Sequence, residues 1–517
     1  MRSCLALLLA AACLPAPAAA AEVAETWPCS RPAPVAPNAA WLWKGAKYDA
    51  TWRDDAEVAA LIAEITPRGL PEDQAVARIE AFGKAHPGEG TRYNRLASGL
   101  LDSIGREQSQ VIAGIRRFNT RQAALAARME AAYARTATSD PATEAAAAEQ
   151  LQWDTRIFED RQRLLPVMCR IPGVLGARLG TLLAATQEAS GASGGGVASY
   201  LVYATNELAG EISVIDPVTR REIDRIVIGK RPRGLVASPD SRLLYVAVSG
   251  SPIAGPGVDE TDLPPADKNA DGIAVVDLST RKVLRLLRGV SDPEQVAVSR
   301  DGTLLYVASE DTGQLIVMTT EGREIAKLAV GEEPEGVSVS PDGATVLVTS
   351  EGDNSVAIIR GGLNPKVEAR VAVGERPRTA AFLDNDRAAI PGEFDSTVKL
   401  IDLRAAKTIR TVRLGGEDRP MTAVATGGDS VVVTTGRGGN LIRIDLGPSA
   451  SAKPLTGAVF TGQRPWGLAL SPDGKLAFTA NGPGNDVSIV DLASMRLVGK
   501  VATAGSPWGV LTVPKVR

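Results

Sequence analysis

The chain has 517 residues, 44% hydrophobic and 23% charged, so it can bury a sizeable core and is longer than one ordinary domain. A formal charge of -3 and a pI near 5.7, with no basic run, leave no electrostatic footprint for nucleic acid. Beyond the N-terminus no run approaches the ~18 apolar residues that a membrane span needs.

Residues 1–21 combine one Arg, an apolar run from Leu5 to Ala12 and small residues at Ala18, Ala20 and Ala21, which reads as a secretory signal peptide. Lipidation at Cys13 is the alternative, with Ala10 standing where a lipobox wants a branched aliphatic residue. A secreted, periplasmic protein is therefore expected. Two of the four cysteines leave with the signal, and Cys29 and Cys169 form an even pair in an oxidising compartment, so a disulfide is expected between them. Closing so long a loop contributes roughly 4 to 5 kcal/mol on the chain-entropy account.

Residues 22–188 read as a helical domain. Pro28, Pro32, Pro34 and Pro37 alternate with Trp27, Trp41, Trp43 and Trp52, which excludes a helix there and predicts a segment whose indoles cover apolar surface. Val58, Leu61, Ile62 and Ile65 share one helical face, and Pro71 opens a second helix over 72–85. A longer helix is predicted over 91–135, with Leu101, Ile104, Val111, Ile115, Phe118, Leu125 and Met129 recurring at helical spacing. A return helix begins at Asp140-Pro141, carries Leu151, Thr155, Phe158 and Leu165, and is expected to break at Pro166 and Pro172, giving a long antiparallel hairpin. A last helix covers about 174–186. Residues 189–198, Gly- and Ser-rich, read as a linker.

From residue 199 the pattern changes to strands and turns. Gln463–Asp491 reads as strand, Ser-Pro-Asp-Gly turn, strand, turn, strand. A proline stands before the first strand of each such unit: Pro232, Pro293, Pro334, Pro377, Pro420, Pro465 and Pro507, spaced by 41 to 45 residues except for a first interval of 61 that contains an insert. That period belongs to four-stranded propeller blades, and seven marks mean seven blades. Three strands at 200–228 precede the first mark and one strand follows the last, so residues 508–513 are expected to close the ring as the innermost strand of the blade formed by 200–228. The expected fold class is thus multi-domain: an N-terminal all-α domain and a C-terminal all-β seven-bladed propeller over 199–517.

Leu244-Tyr-Val-Ala247 and Leu305-Tyr-Val-Ala308, each preceded by Ser-x-Asp-x, resemble the YVTN-type seven-bladed propellers of secreted proteins. Leu383-Asp-Asn-Asp386 and Thr426-Gly-Gly-Asp429 depart from the Ser-Pro-Asp-Gly turn of that pattern. The chain also resembles propeller proteins associated with pyrroloquinoline-quinone-dependent alcohol catabolism, and Trp27-Pro-Cys29, Trp153-Asp-Thr-Arg-Ile-Phe158 and Arg161-Gln162 resemble secreted helical proteins of that setting. The resemblance implies an accessory protein beside a periplasmic partner such as a quinone-dependent dehydrogenase or cytochrome. It carries no catalytic residues.

The chemistry is bounded by scarcity. His86 is the only histidine and reads as an exposed helix-end residue, which excludes His-rich metal sites and argues against a Ser-His-Asp triad, and no C-x-x-C-H motif offers a haem. Asp216, Asp277, Asp402, Asp445 and Asp491 recur at the ends of third strands and read as acceptors for turn N–H groups. Asp267, Asn269 and Asp271 match the front half of a calcium loop, although Leu278 stands where its bidentate Glu belongs. The residues flanking the marker prolines should gather at one channel mouth: Arg231, Arg233, Glu294, Glu335, Arg376, Arg378, Arg419 and Arg464, with Trp466 and Trp508 at neighbouring marks. Guanidinium forks beside indole faces suit a planar anion such as a quinone cofactor, whereas mutual Arg–Glu pairing would leave only a charged rim. Three functions follow: a non-catalytic accessory or ligand-binding protein, a protein-docking scaffold, or a propeller hydrolase of the lactonase kind.

Overall fold

The computed structural model describes residues 27–29, 37–43, 45–136, 141–191, 199–253, 263–360, 363–448 and 453–515. The expected signal peptide, Cys13, most of the Gly/Ser linker and the middle of the insert between Pro232 and Pro293 lie outside these residues. By compactness the described residues form two units, one around Ile112–Leu165 and the other around Cys29–Val111 with Pro166–Arg517.

Four helices occupy the N-terminal region: α1 (Ala56–Ile65), α2 (Glu72–Ala85), α3 (Gly90–Thr136) and α4 (Pro141–Ala189). Asp55 caps α1 by accepting from the Val58 amide at 3.2 Å, and the predicted face of Val58, Leu61, Ile62 and Ile65 is the buried one. In the smaller unit the long helices are joined by Arg128, whose Nε and Nη2 grip the Asp154 carboxylate at 2.7 and 2.5 Å. The base of the helical region packs Leu96, Leu100 and Ile104 of α3 against Leu175, Leu179 and Leu182 of α4, with Trp41 and Trp43 laid over that core.

One helix expectation is corrected. Pro166 and Pro172 do not break α4, which runs through both. Each proline deletes an N–H and costs about 3 kcal/mol in a helix interior, so the continuity has to be held from outside. Cys169, between the two prolines, is joined to Cys29 by the expected disulfide (S–S 2.01 Å), and Gln108 Nε2 donates to the Pro172 carbonyl at 2.7 Å.

The remainder is a ring of seven four-stranded antiparallel sheets. Blade 7 is representative: Pro465–Leu470, Leu476–Asn481, Asp486–Asp491 and Arg496–Ala502 from the axis outwards. The ring closes as expected, since Pro507–Pro514 pairs with Tyr200–Asn206 of blade 1 through contacts such as Val202↔Thr512. The Ser-Pro-Asp-Gly turns have a concrete mechanism. Ser471 Oγ accepts from the Lys475 and Leu476 amides at 3.1 and 2.9 Å and donates to Asp473, while Gly474 takes φ +68°. Where that turn is missing, blade 5 still forms, but its inner strand shrinks to Ala381–Phe382 and a single bridge from Pro377 to Gly392.

Six of the seven marker prolines, all but Pro377, open an inner strand, a position that needs no ladder N–H. In six blades the register slips directly after the proline, as between Pro232 and Leu235 or Pro465 and Leu468. The residue two after the mark is Gly234, Gly336, Gly467 or Gly509 in four blades, and a Cβ on Gly336 or Gly467 would fall 2.5 Å from the carbonyl of Arg378 or Trp508 in a neighbouring inner strand. The absent side chains let the inner strands close on the axis, which makes the channel narrow.

Candidate binding site at the channel mouth

The seven residues before the marker prolines, Arg231, Asp292, Glu333, Arg376, Arg419, Arg464 and Ser506, all have positive φ, between 43° and 56°. Only a few per cent of non-glycine residues adopt this backbone, and the repeat has a structural cause. In six blades the carbonyl of this residue accepts from the amide just after the second strand, as in Glu310 N to Asp292 O at 3.1 Å and Glu351 N to Glu333 O at 3.0 Å. The bond fixes both residues at the mouth. It also brings in a second set of side chains, Glu207, Glu310, Glu351 and Glu393, that the proline flanks alone do not reveal. Their signal in the sequence is a Glu closing the second strand in Asn206-Glu207, Ser309-Glu310, Ser350-Glu351 and Gly392-Glu393.

These carboxylates take up the mouth arginines. Arg231 pairs with Glu207 at 2.8 Å. Arg233, 3% exposed, meets Asp292 at 2.5 Å, contacts Glu294 and stands 3.8 Å from Glu310. Arg376 holds Glu351 through two bonds of 2.9 Å. Arg378 meets Glu335 at 3.3 Å and Glu393 at 2.7 Å, and contacts Glu351. Trp466 and Trp508 stack on each other with centroids 4.9 Å apart, and the Arg378 guanidinium lies over the Trp466 ring, 4.8 Å from its centroid. Arg419 donates to the Phe394 carbonyl at 2.9 Å and sits over that ring, while Arg464 is exposed.

Seven carboxylates therefore face four ion-paired guanidinia here. Burial pushes the Glu310 carboxyl up to about 7 despite Arg233, and pushes Glu335 up to about 8 despite Arg378. The cavity along the axis, between Glu335, Arg378, Trp466 and Trp508, measures about 70 Å³, room for a few waters and far below the volume of a planar cofactor. The Arg–Glu pairing that was the alternative to a planar-anion site is what these side chains make, and of the mouth arginines only Arg419 and Arg464 show no carboxylate partner among the described residues.

The calcium-loop residues are committed elsewhere. Asp267 pairs with Lys230 at 2.7 Å. Both oxygens of the buried Asp271 accept amides, from Gly250 at 2.7 Å and Asp292 at 3.0 Å, and the Asn269 carbonyl accepts from Arg288. The insert is thus pinned to the mouth by Asp271. The third-strand aspartates are turn acceptors as expected: Asp277 takes the Ser279 and Thr280 amides at 2.9 and 2.8 Å, and Asp491 takes Ser494 at 2.8 Å. His86 does end a helix, but it is not exposed. Its ring, 15% exposed, lies among Arg92, Glu57 and Glu89.

No protein-family model matches the chain, and no curated protein matches it in sequence. Solved structures similar to it include a functionally unknown protein from Desulfotomaculum acetoxidans (13% identity, 62% of this chain and 100% of that one, TM-score 0.51). Others are a protein from Lactobacillus plantarum (16%, 61% and 99%, 0.51) and a proposed 6-phosphogluconolactonase from Bacteroides uniformis (15%, 61% and 100%, 0.50). At these identities the likeness shows the seven-bladed propeller fold.

Proposed function

We propose that the chain is a non-catalytic binding protein of an extracytoplasmic compartment, in the accessory role implied by its resemblance to propellers of quinone-dependent alcohol oxidation. The observation that carries this reading is the filling of the propeller axis. Arg378, Trp466 and Trp508 form a stacked column and the neighbouring guanidinia are held by carboxylates, leaving about 70 Å³. A reaction needs room for substrate beside a poised group, and here the poised groups face one another. The Cys29–Cys169 disulfide supports an oxidising compartment.

One observation favours a second reading, a propeller hydrolase. Glu310 has a carboxyl raised to about 7 and a side chain 27% exposed, the profile of a general base near neutral pH. Assaying the purified protein with sugar lactones of five- and six-membered rings separates the two. The binding reading expects no hydrolysis above the spontaneous rate, and turnover that disappears in Glu310→Gln would overturn it.

A further inference from the structure

A cleft of about 480 Å³ opens where the helical base meets the outer strands of blades 6 and 7, all within the larger compact unit. It exists because α4 approaches the propeller along a face of small residues. A Cβ on Gly180 would fall 2.3 Å from the Leu497 carbonyl, and Ala177 is buried among Val432, Leu441 and Leu497 of the blades. About one and two turns earlier, Gly176 and Gly173 put no side chain into the cleft. The cleft is lined there by Trp41, Phe460, Met495 and Leu497, and at its polar end by Arg443 and Arg496.

The two arginines give this cleft a cationic end. At the mouth, Arg231, Arg233, Arg376 and Arg378 are ion-paired, as are Arg92, Arg95 and Arg128 among the helices. Arg443 and Arg496 make no ion pair among the described residues, and no Asp or Glu lines the cleft. Arg443 spends Nη2 on the Leu492 carbonyl. Arg496 spends Nε on Ser494 Oγ at 3.0 Å and lies 5.2 Å from the Trp41 ring. The neighbouring Asp491 carboxylate is taken by the Ser494 amide and hydroxyl. Burial lowers the Arg496 pKa, the direction expected of a cation drawn from water without a full counter-charge, and a bound anion would offset that penalty. At the back of the cleft Gln108, 1% exposed, turns its NH2 to Pro172, and its Oε1 is left without a donor.

We propose that this cleft is a binding site for a small aromatic carboxylate, with the carboxylate on Arg496 and Arg443 and the ring system between Trp41, Phe460 and the glycine-lined turn of α4. The volume lies in the range of ligand pockets, mostly apolar with a few convergent polar groups. A fork-shaped guanidinium selects a carboxylate over a neutral isostere, and an indole already carrying a guanidinium on one flank offers a flat apolar surface. The combination of Arg and Trp that the proline flanks promise at the mouth is thus present in this cleft without carboxylate partners among the described residues.

The proposal rests on the reading of the chain as a binding protein, and its test separates the two. Titration calorimetry of the full chain with 2-naphthoate should show saturable 1:1 binding that weakens as salt rises, with 2-naphthalenemethanol at least about tenfold weaker. Arg496→Gln should lose at least about tenfold in affinity and Arg496→Lys less, while Arg464→Gln at the mouth should bind like the parent. Circular dichroism and melting of each variant distinguish a lost site from a lost fold. No saturable heat at millimolar naphthoate, equal affinity for the alcohol, or an unchanged Kd in a folded Arg496→Gln would each overturn the proposal. Those results would leave the binding-protein reading standing, which falls only if lactone turnover dependent on Glu310 is found.

Discussion

Arg378 is the residue on which the mouth turns, because one buried guanidinium faces Glu335, Glu351 and Glu393 and also carries the Trp466–Trp508 stack. Removing one partner of a buried ion pair leaves an uncompensated charge and typically costs 3–5 kcal/mol, so Arg378→Met should lower the melting temperature by several degrees. By contrast, Arg464 is exposed at φ +46°, and Arg464→Gly relieves that backbone strain while losing no ion pair, so its melting point should stay unchanged or rise. The acids add a pH dependence with a definite sign. Glu310 and Glu335 have folded-state values near 7 and 8, above the unfolded value, so the folded state binds the extra protons between about pH 4.5 and 8. The stability they contribute is full below the unfolded pKa and is lost as pH rises through 7 to 8. The melting temperature should therefore fall between pH 5.5 and 8.5, and Glu335→Gln should flatten that slope; an equal slope in the variant would remove Glu335 as its cause.

At the scale of elements, the seating of α4 on the propeller depends on glycine. Gly180→Val places a branched side chain against the Leu497 backbone, an overpacking whose usual cost is about 1–3 kcal/mol. A clear drop in melting temperature is expected, beside little change for Gly90→Ala, where an added Cβ meets nothing. The helices were legible in the sequence where periodicity and caps agree: α2 begins at the predicted Glu72, and α1 buries the predicted face. α4 was misjudged at Pro166 and Pro172 because local propensity was overruled by tertiary partners, the disulfide at Cys169 and the Gln108 bond to Pro172, which no local pattern displays. The strands were more legible still, since the proline mark and the Ser-x-Asp turn act within a few residues.

At the scale of the whole molecule, the ring depends on one non-local strand, Pro507–Pro514, which pairs with Tyr200–Asn206 from the start of the propeller and carries Trp508 into the axial stack. Truncation before Pro507 exposes two inner edges, and the shortened chain should lose cooperative unfolding by calorimetry; a transition like that of the parent would contradict the closure. This topology follows from counting strands before the first mark and after the last. The partners of the mouth arginines do not, because Glu310, Glu351 and Glu393 come from a different position of the repeat than the prolines. The cleft was illegible for a stronger reason: Trp41, Gly176, Arg443 and Arg496 belong to four separate elements far apart in the chain, brought together only by tertiary packing. The most direct test of the account is a crystal structure of the full chain grown with 2-naphthoate. Ligand density against Trp41 and Arg496, with the Arg378 ion pairs intact, is the predicted result; density at the channel mouth between Trp466 and Trp508, with Arg378 released from its carboxylates, would contradict it.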